Sequence, residues 1–126
     1  MGIVGRVVSG IGEGRKFFSL DGYNIGFEKL LGVAPFAGTL NVDVGEGSID
    51  TVEKIKNEAT LNIAGFEFEG KKYFDVKCSR AKLNGVEGLL VFPLLNHHSK
   101  NILEFVCSIN LREKFGFRDG DEVEIV

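Results

Sequence analysis

The first stretch whose residue types could do chemistry is SGIGEGRKFFSL, residues 9–20, where two basic residues follow three closely spaced glycines. Glycine lets the main chain approach a ligand closely, and successive backbone N–H groups can form a concavity that binds an anion. Arg15 and Lys16 would add charge at its rim. No Gly-Lys-Ser/Thr and no parallel α/β pattern follow, which excludes a Walker loop and a dinucleotide fingerprint. Spacing alone favours a glycine-rich turn over a phosphate cradle.

A second pattern, Gly38-Thr39-Leu40-Asn41, opens a strand of alternating polarity. Thr39 and Asn41 should point to one face, opposite to Leu40, because side chains alternate along a strand. Two neutral oxygens on one face can hold a magnesium ion when substrate phosphates supply the negative charge. The pattern by itself favours a plainer interpretation, in which these residues form the polar outer face of an edge strand.

The loop Asn96-His97-His98-Ser99 precedes a strand that carries Glu104. Adjacent side chains diverge on extended chain, and no third ligand is spaced to complete a metal site. We therefore interpret this loop as the lining of a pocket. Glu104 lies between two apolar residues and faces away from them, where it would either hydrogen-bond a ligand or meet solvent.

Residues 110–114, Asn-Leu-Arg-Glu-Lys, have the composition of a helix start. A helix N-terminus with Arg112 beside it could contact a nucleotide. The plainer interpretation is an amphipathic turn that places Leu111 and Phe115 in the core. The two interpretations are compatible.

Short strands must position these residues. The chain has 126 residues, of which 44% are hydrophobic and 17 are glycine, so one domain with a real core is expected. Many strands with two small helices predict an all-β fold, mainly β with short helices, closed into a small barrel. The predicted strands are residues 3–8, 16–20, 40–44, 66–69, 73–78, 87–94, 102–109 and 121–126.

Local signals refine this scheme. A helical stripe of Ile25, Phe27, Leu30 and Leu31 predicts a helix over residues 23–32, ended by Gly32, whereas residues 48–57 fit either a helix or an irregular segment.

Turn signals are placed at Gly70-Lys71, Asn84-Gly85 and Asp119-Gly120. In the last strand, Val123 and Ile125 should point into the barrel.

Charge and composition exclude several classes of protein. A net charge of −3 and a pI of about 5.4 disfavour a general nucleic-acid binder, which needs a basic face. No apolar run reaches the roughly 18 residues that cross a membrane, and the start of the chain is not a secretory signal, so a cytoplasmic protein is expected. Cys78 and Cys107 are expected as buried free thiols rather than a disulfide.

Taken together, SGIGEGRKFFSL, GTLN, the HHS…LEF region and INLREKFGFRDGDEVEIV resemble the archaeal CTP-dependent riboflavin kinases, in the same order along the chain. The likeness covers residues 5–126. The combination is more specific than any single motif, and it favours the phosphate cradle over a turn alone.

The resemblance implies a cradle-loop β-barrel that transfers a phosphoryl group from CTP to the 5′-hydroxyl of riboflavin, giving FMN and CDP. It also implies a single domain over residues 1–126 without an N-terminal helix-turn-helix domain. Thr39 and Asn41 match magnesium ligands, and Asn96 and Glu104 fall where the family contacts the flavin. Glu104 is the candidate for orienting or deprotonating the ribityl hydroxyl. The residues matched to the nucleotide are Ile11, Gly12, Glu13, Gly14, Arg15, Lys16, Asn110, Leu111, Arg112 and Glu113.

Two alternatives stay open: a DNA-binding regulator built on a related barrel, and a flavin- or nucleotide-binding module without turnover. The oligomeric state is also open, a monomer included.

Overall fold

The computed structural model of the protein describes residues 2–10, 18–93 and 100–126. Its strands are β1 (Ile3–Val8), β2 (Leu40–Asp43), β3 (Leu61–Ile63), β4 (Phe66–Phe68), β5 (Lys71–Tyr73), β6 (Val76–Leu83), β7 (Val86–Pro93), β8 (Ile102–Val106) and β9 (Glu122–Ile125). Its helices within these ranges are α1 (Asp21–Leu31), α2 (Ile49–Glu58) and α3 (Leu111–Phe115), with a 3₁₀ turn at Glu46–Ser48.

Six antiparallel strands form a closed barrel, in the order β6-β7-β8-β2-β1-β9. The barrel closes where β9 returns to β6, with Leu83 opposite Ile125. Strand β3 pairs with β6, and β4 and β5 form a separate hairpin. The expected all-β barrel with short helices is therefore confirmed. No helix in the described ranges is long and apolar enough to cross a membrane.

Two cores lie on opposite faces of the barrel wall. Leu90 and Phe92 of β7 belong to the core inside the barrel, whereas Leu89 and Val91 belong to a second core beneath α1. This alternation follows from the two-residue period of a strand whose two faces are both covered. Helix α1 completes the second core with Tyr23 and Phe27, which are 3% and 1% exposed.

The predicted helix over residues 23–32 is confirmed, but its apolar stripe is wrong in one place. Tyr23 and Phe27, four residues apart, face the barrel, whereas Ile25 is 54% exposed. Gly32 ends the helix with φ of 79°, as expected of a left-handed cap. The predicted strand at residues 16–20 is wrong in its described part, because residues 18–20 lead into α1.

The undecided segment at residues 48–57 is helical, as α2. The Asn84-Gly85 turn is confirmed, with φ of 46° and 84°. The first hairpin turns one residue earlier than predicted, at Glu69-Gly70, and both residues have positive φ as a type I′ turn requires.

The predicted strand 73–78 is divided between two partners, since β5 pairs with β4 whereas β6 pairs with β3 and β7. Asp75 lies at the break, where its carboxylate accepts hydrogen bonds from Gly65 N at 2.6 Å and Asn62 Nδ2 at 3.2 Å.

The C-terminal part matches the sequence prediction with two exceptions. Val123 and Ile125 are buried, and both cysteines are buried and free, as expected. The strand at residues 102–109 ends at Val106. Phe115 does not enter the core, since it is 39% exposed and stacks on Phe117. Gly116, directly after it, ends α3 in a left-handed conformation, which turns the chain at this point.

Candidate active site

Three of the predicted site residues meet on the outer face of the barrel. Asn41 in β2 lies directly opposite Glu104 in β8, so their side chains share one face. Thr39, just before β2, donates a hydrogen bond from Oγ1 to Glu104 Oε1 at 3.4 Å. The structure therefore brings a hydroxyl and an amide together with a carboxylate, and the hydroxyl and the carboxylate are 65 residues apart along the chain.

Two members of this polar group, Asn41 and Glu104, are buried, contrary to the plainer interpretation of the strand. Asn41 is 7% exposed and Glu104 is 5% exposed. Strand β2 is not an edge strand, since β1 and β8 flank it on its two sides. Across the sheet, Val8 of β1 lies opposite Asn41, and Val91 of β7 lies opposite Glu104. Burial of an amide and a carboxylate between apolar neighbours is costly unless partners satisfy them.

The Asn41 amide carries an unusual feature. Its Oδ1 is buried and has no hydrogen-bond partner within the described part of the chain. Buried polar atoms are nearly always paired, and an exception calls for an explanation such as an ion. An amide oxygen beside a hydroxyl and a carboxylate is a donor set that suits Mg²⁺, so these residues fit the metal that the family resemblance implies.

The chain just after β1 packs directly on this amide, at Gly10. A Cβ added at Gly10 would lie 2.2 Å from Asn41 Nδ2 and 3.1 Å from Asn41 Cγ. Any other residue at position 10 would therefore require the Asn41 amide or the main chain to move. Sequence reasoning placed Gly10 in the phosphate cradle but missed this contact. The signal for it is the pairing of β1 with β2, which cannot be read from local pattern.

The oxygens of Thr39 and Asn41 carry no charge, unlike the ligands of a metal site that is built from protein carboxylates or thiolates alone. Within residues 2–10, 18–93 and 100–126, no three or more His, Cys, Asp or Glu side chains cluster as metal ligands. A site with few charged ligands needs further negative charge, and magnesium sites commonly take it from substrate phosphates.

The predicted second nucleotide stretch lies at α3, and its residues have distinct local roles. Asn110 caps the helix, its Oδ1 accepting a hydrogen bond from Glu113 N at 3.2 Å. Leu111 is buried at 4% exposure. Arg112 reaches back to β1, where Nη2 donates to Val8 O at 3.3 Å.

Arg112 thus ties α3 to the strand that precedes the glycine-rich segment. The same Nη2 also forms an ion pair with Asp119 Oδ1 at 2.7 Å, and sequence reasoning gave Asp119 no role beyond a turn. The predicted residues Ile11, Gly12, Glu13, Gly14, Arg15, Lys16 and Asn96 lie outside the described residues.

Comparison with known proteins shows the family to which the chain belongs. The family model CTP-dep_RFKase, described as "Domain of unknown function DUF120", matches residues 7–126 and so includes Thr39, Asn41, Glu104 and α3. The chain belongs to the CTP-dependent riboflavin kinase family. The resemblance drawn from the sequence is therefore confirmed.

Curated relatives in this riboflavin kinase family are similar over nearly the whole chain. A riboflavin kinase of Archaeoglobus fulgidus is 38% identical over 98% of the chain and 53% of the relative. Those of Pyrobaculum arsenaticum and Ignicoccus hospitalis are 42% and 40% identical, over 98% and 97% of the chain and 59% and 68% of the relatives. The chain thus spans between about half and two thirds of the length of these relatives.

Proposed function

We propose that the protein is a CTP-dependent riboflavin kinase that transfers the γ-phosphoryl group of CTP to the 5′-hydroxyl of riboflavin, giving FMN and CDP. One observation carries the proposal: a member of this family brings Thr39, Asn41 and Glu104 together, with Asn41 and Glu104 buried and an Asn41 oxygen that lacks a partner among the described residues. Phosphoryl transfer needs positioning and charge stabilisation more than covalent chemistry, which is what such a polar pocket supplies.

In this proposal, Thr39 Oγ1 and Asn41 Oδ1 would hold Mg²⁺. The ion, when bound, would neutralise the phosphate charge that builds up during transfer. Because both ligands are uncharged, their affinity for the ion would rise when CTP contributes its phosphates. The chain's own part is to hold the two oxygens on one face of β2, which the flanking strands β1 and β8 fix in place.

Glu104 would act on the acceptor. Its carboxylate accepts a hydrogen bond from the Thr39 hydroxyl and is nearly shielded from solvent. A hydrogen bond from the riboflavin 5′-hydroxyl would be strong in this position. As the oxygen of that hydroxyl bonds to the γ-phosphorus and the bond to CDP breaks, Glu104 would take the hydroxyl proton. The Thr39 contact would meanwhile restrict the orientation of the carboxylate.

The remaining roles come from the family likeness. Residues 11–16 would contact the CTP phosphates through backbone N–H groups, with Arg15 or Lys16 beside the transferred group. Residues 110–113 would contact the rest of the nucleotide, and Asn96 would contact the flavin. The cytoplasmic location expected from the sequence stays a prediction.

The direct test is to incubate the protein with riboflavin, Mg²⁺ and each of CTP, ATP, GTP and UTP, and to measure FMN. FMN formation with CTP is expected. Absence of FMN with every donor would reject the kinase. Riboflavin or CTP binding without FMN would favour a binding module instead, and affinity for duplex DNA that falls steeply with salt would favour a regulator.

Site variants sharpen the test. Thr39→Ala and Asn41→Ala should each lower kcat by on the order of 100-fold, since both remove an oxygen that positions the reacting phosphate. Thr51→Ala and Asn57→Ala, which make the same changes on the exposed face of α2, are the matched controls and should keep full activity. Equal rates for site and control variants at saturating Mg²⁺ would remove Thr39 and Asn41 from the metal site.

A further inference from the structure

The carboxylate of Asp119 joins two parts of the chain that lie far apart in sequence. Its Oδ1 accepts from Arg112 Nη2 at 2.7 Å, and its Oδ2 accepts from Ser9 Oγ at 2.5 Å. Arg112 in turn donates to Val8 O at 3.3 Å. The Asp119 carboxylate and the Arg112 guanidinium therefore connect α3 with Val8, the last residue of β1, and with Ser9 after it. Ser9 and Asp119 are 110 residues apart along the chain.

The turn that carries Asp119 is itself anchored to β1. Gly120 N donates to Val7 O at 2.7 Å, and Val7 N donates to Asp121 O at 2.8 Å. Inside the turn, Arg118 N donates to Asp121 Oδ2 at 2.8 Å. These bonds hold the turn independently of the Asp119 side chain, so removing that carboxylate should leave the local fold in place.

This link lies next to both chain segments that are predicted to bind the nucleotide. Ser9 lies two residues before the glycine-rich segment at residues 11–16, and Arg112 lies inside the second predicted nucleotide stretch at residues 110–113. Hydrogen bonds from Ser9 and Arg112 lower the pKa of Asp119, so its carboxylate is charged throughout the neutral range. Charged acceptors form the stronger hydrogen bonds, and this acceptor binds Ser9 and Arg112 at once.

We propose that Asp119 is a positioning residue for CTP, which fixes the start of the glycine-rich segment relative to α3 so that both stretches contact one nucleotide. This rests on the proposed function. Asp119 acts through Ser9 and Arg112 and does not touch substrate. The hydrogen bonds of the link join Asp119, Ser9, Arg112 and Val8 rather than the side chains of the proposed metal site, so the link should affect nucleotide affinity more than the chemical step.

The test uses Asp119→Asn, which keeps the size of the side chain but removes its charge. We expect KM for CTP to rise on the order of tenfold, because the amide has no charge and only one acceptor oxygen, which weakens both hydrogen bonds of the link at a partly exposed site. KM for riboflavin should stay within about twofold. Asp119→Glu, which retains the charge, should recover part of the CTP affinity, a result that a purely structural role would not produce.

Asp75→Asn is the matched control. Asp75 is also exposed, also accepts two hydrogen bonds, and also has a pKa lowered mainly by its hydrogen bonds, but it joins Gly65 and Asn62. This variant should leave KM for CTP unchanged. If Asp119→Asn does not fold, Ser9→Ala removes a single bond of the link and should raise KM for CTP in the same direction, by a smaller factor.

The failures can be told apart. Wild-type protein that makes no FMN and binds no CTP in calorimetry would reject the proposed function. Wild-type protein that is active, with Asp119→Asn raising both KM values equally or neither, would overturn the positioning role alone. A selective rise in KM for CTP, matched by weaker CTP binding in calorimetry without riboflavin, supports it.

Discussion

Gly10→Ala is a direct test of the contact between the chain just after β1 and the Asn41 amide. The added Cβ would lie 2.2 Å from Asn41 Nδ2, whereas ordinary van der Waals contact begins near 3.4 Å. The amide must therefore retreat by about 1.2 Å, or the main chain at residue 10 must move by a similar distance. Asn41 is 7% exposed, so little free space is available to it.

Both ways of relieving this overlap disturb the proposed site. Mg²⁺ requires oxygen ligands at about 2.0–2.1 Å in nearly ideal geometry, so a shift of this size would take Asn41 Oδ1 out of the ligand set. A displacement of about 1 Å at a reacting centre can cost on the order of 100-fold in rate. Overpacking a buried position typically costs about 1–3 kcal/mol in the free energy of unfolding.

The assay is FMN formation as a function of Mg²⁺ concentration, with thermal unfolding followed in parallel. Gly10→Ala should raise the Mg²⁺ concentration for half-maximal rate and lower the maximal rate by about 100-fold, while the protein stays folded at the assay temperature. Gly47→Ala is the control, because a Cβ there meets no atom within 4 Å and no positive φ is involved. An active Gly10→Ala with an unchanged Mg²⁺ dependence would refute the assignment of Asn41 as a metal ligand.

Two further predictions concern other parts of the barrel. Asp43 Oδ1 accepts from Asn101 Nδ2 at 2.7 Å and from Gly45 N at 2.8 Å, next to the loop with the proposed flavin contact. Asp43→Ala should therefore raise KM for riboflavin several-fold and leave KM for CTP unchanged, and steady-state kinetics in which CTP is affected equally would contradict this. Burial raises the pKa of the Cys78 thiol to about 12, so about one thiol in ten thousand is ionised at pH 8. Iodoacetamide should leave Cys78 unmodified in the native protein and alkylate it in denaturant, and mass spectrometry showing rapid native labelling would disprove its burial.

Much of the barrel can be predicted from local sequence pattern. Gly32 ends a helix, and Asn84-Gly85 makes a turn. Both signals can be recognised in the sequence because few residues adopt positive φ without strain. Alternation assigns Val123 and Ile125 to the interior, since a strand repeats every two residues. The same period correctly places Thr39 and Asn41 on one side of their strand. The family likeness adds the residues expected to bind substrate.

Which groups lie opposite these side chains is decided by the tertiary structure. A period of two says which side chains share a face, but not which strand lies beside them or whether that face is covered. Asn41 is buried on the outer face of β2, and only the pairing of β2 with β1 and β8 brings Glu104 opposite it and Gly10 onto its amide. The bond between Ser9 and Asp119 likewise exists only because the chain returns to its start after 110 residues. Sequence alone therefore determines the elements and the chemical types at the site, whereas barrel closure determines which of these groups meet, because contacts between distant strands leave no local pattern.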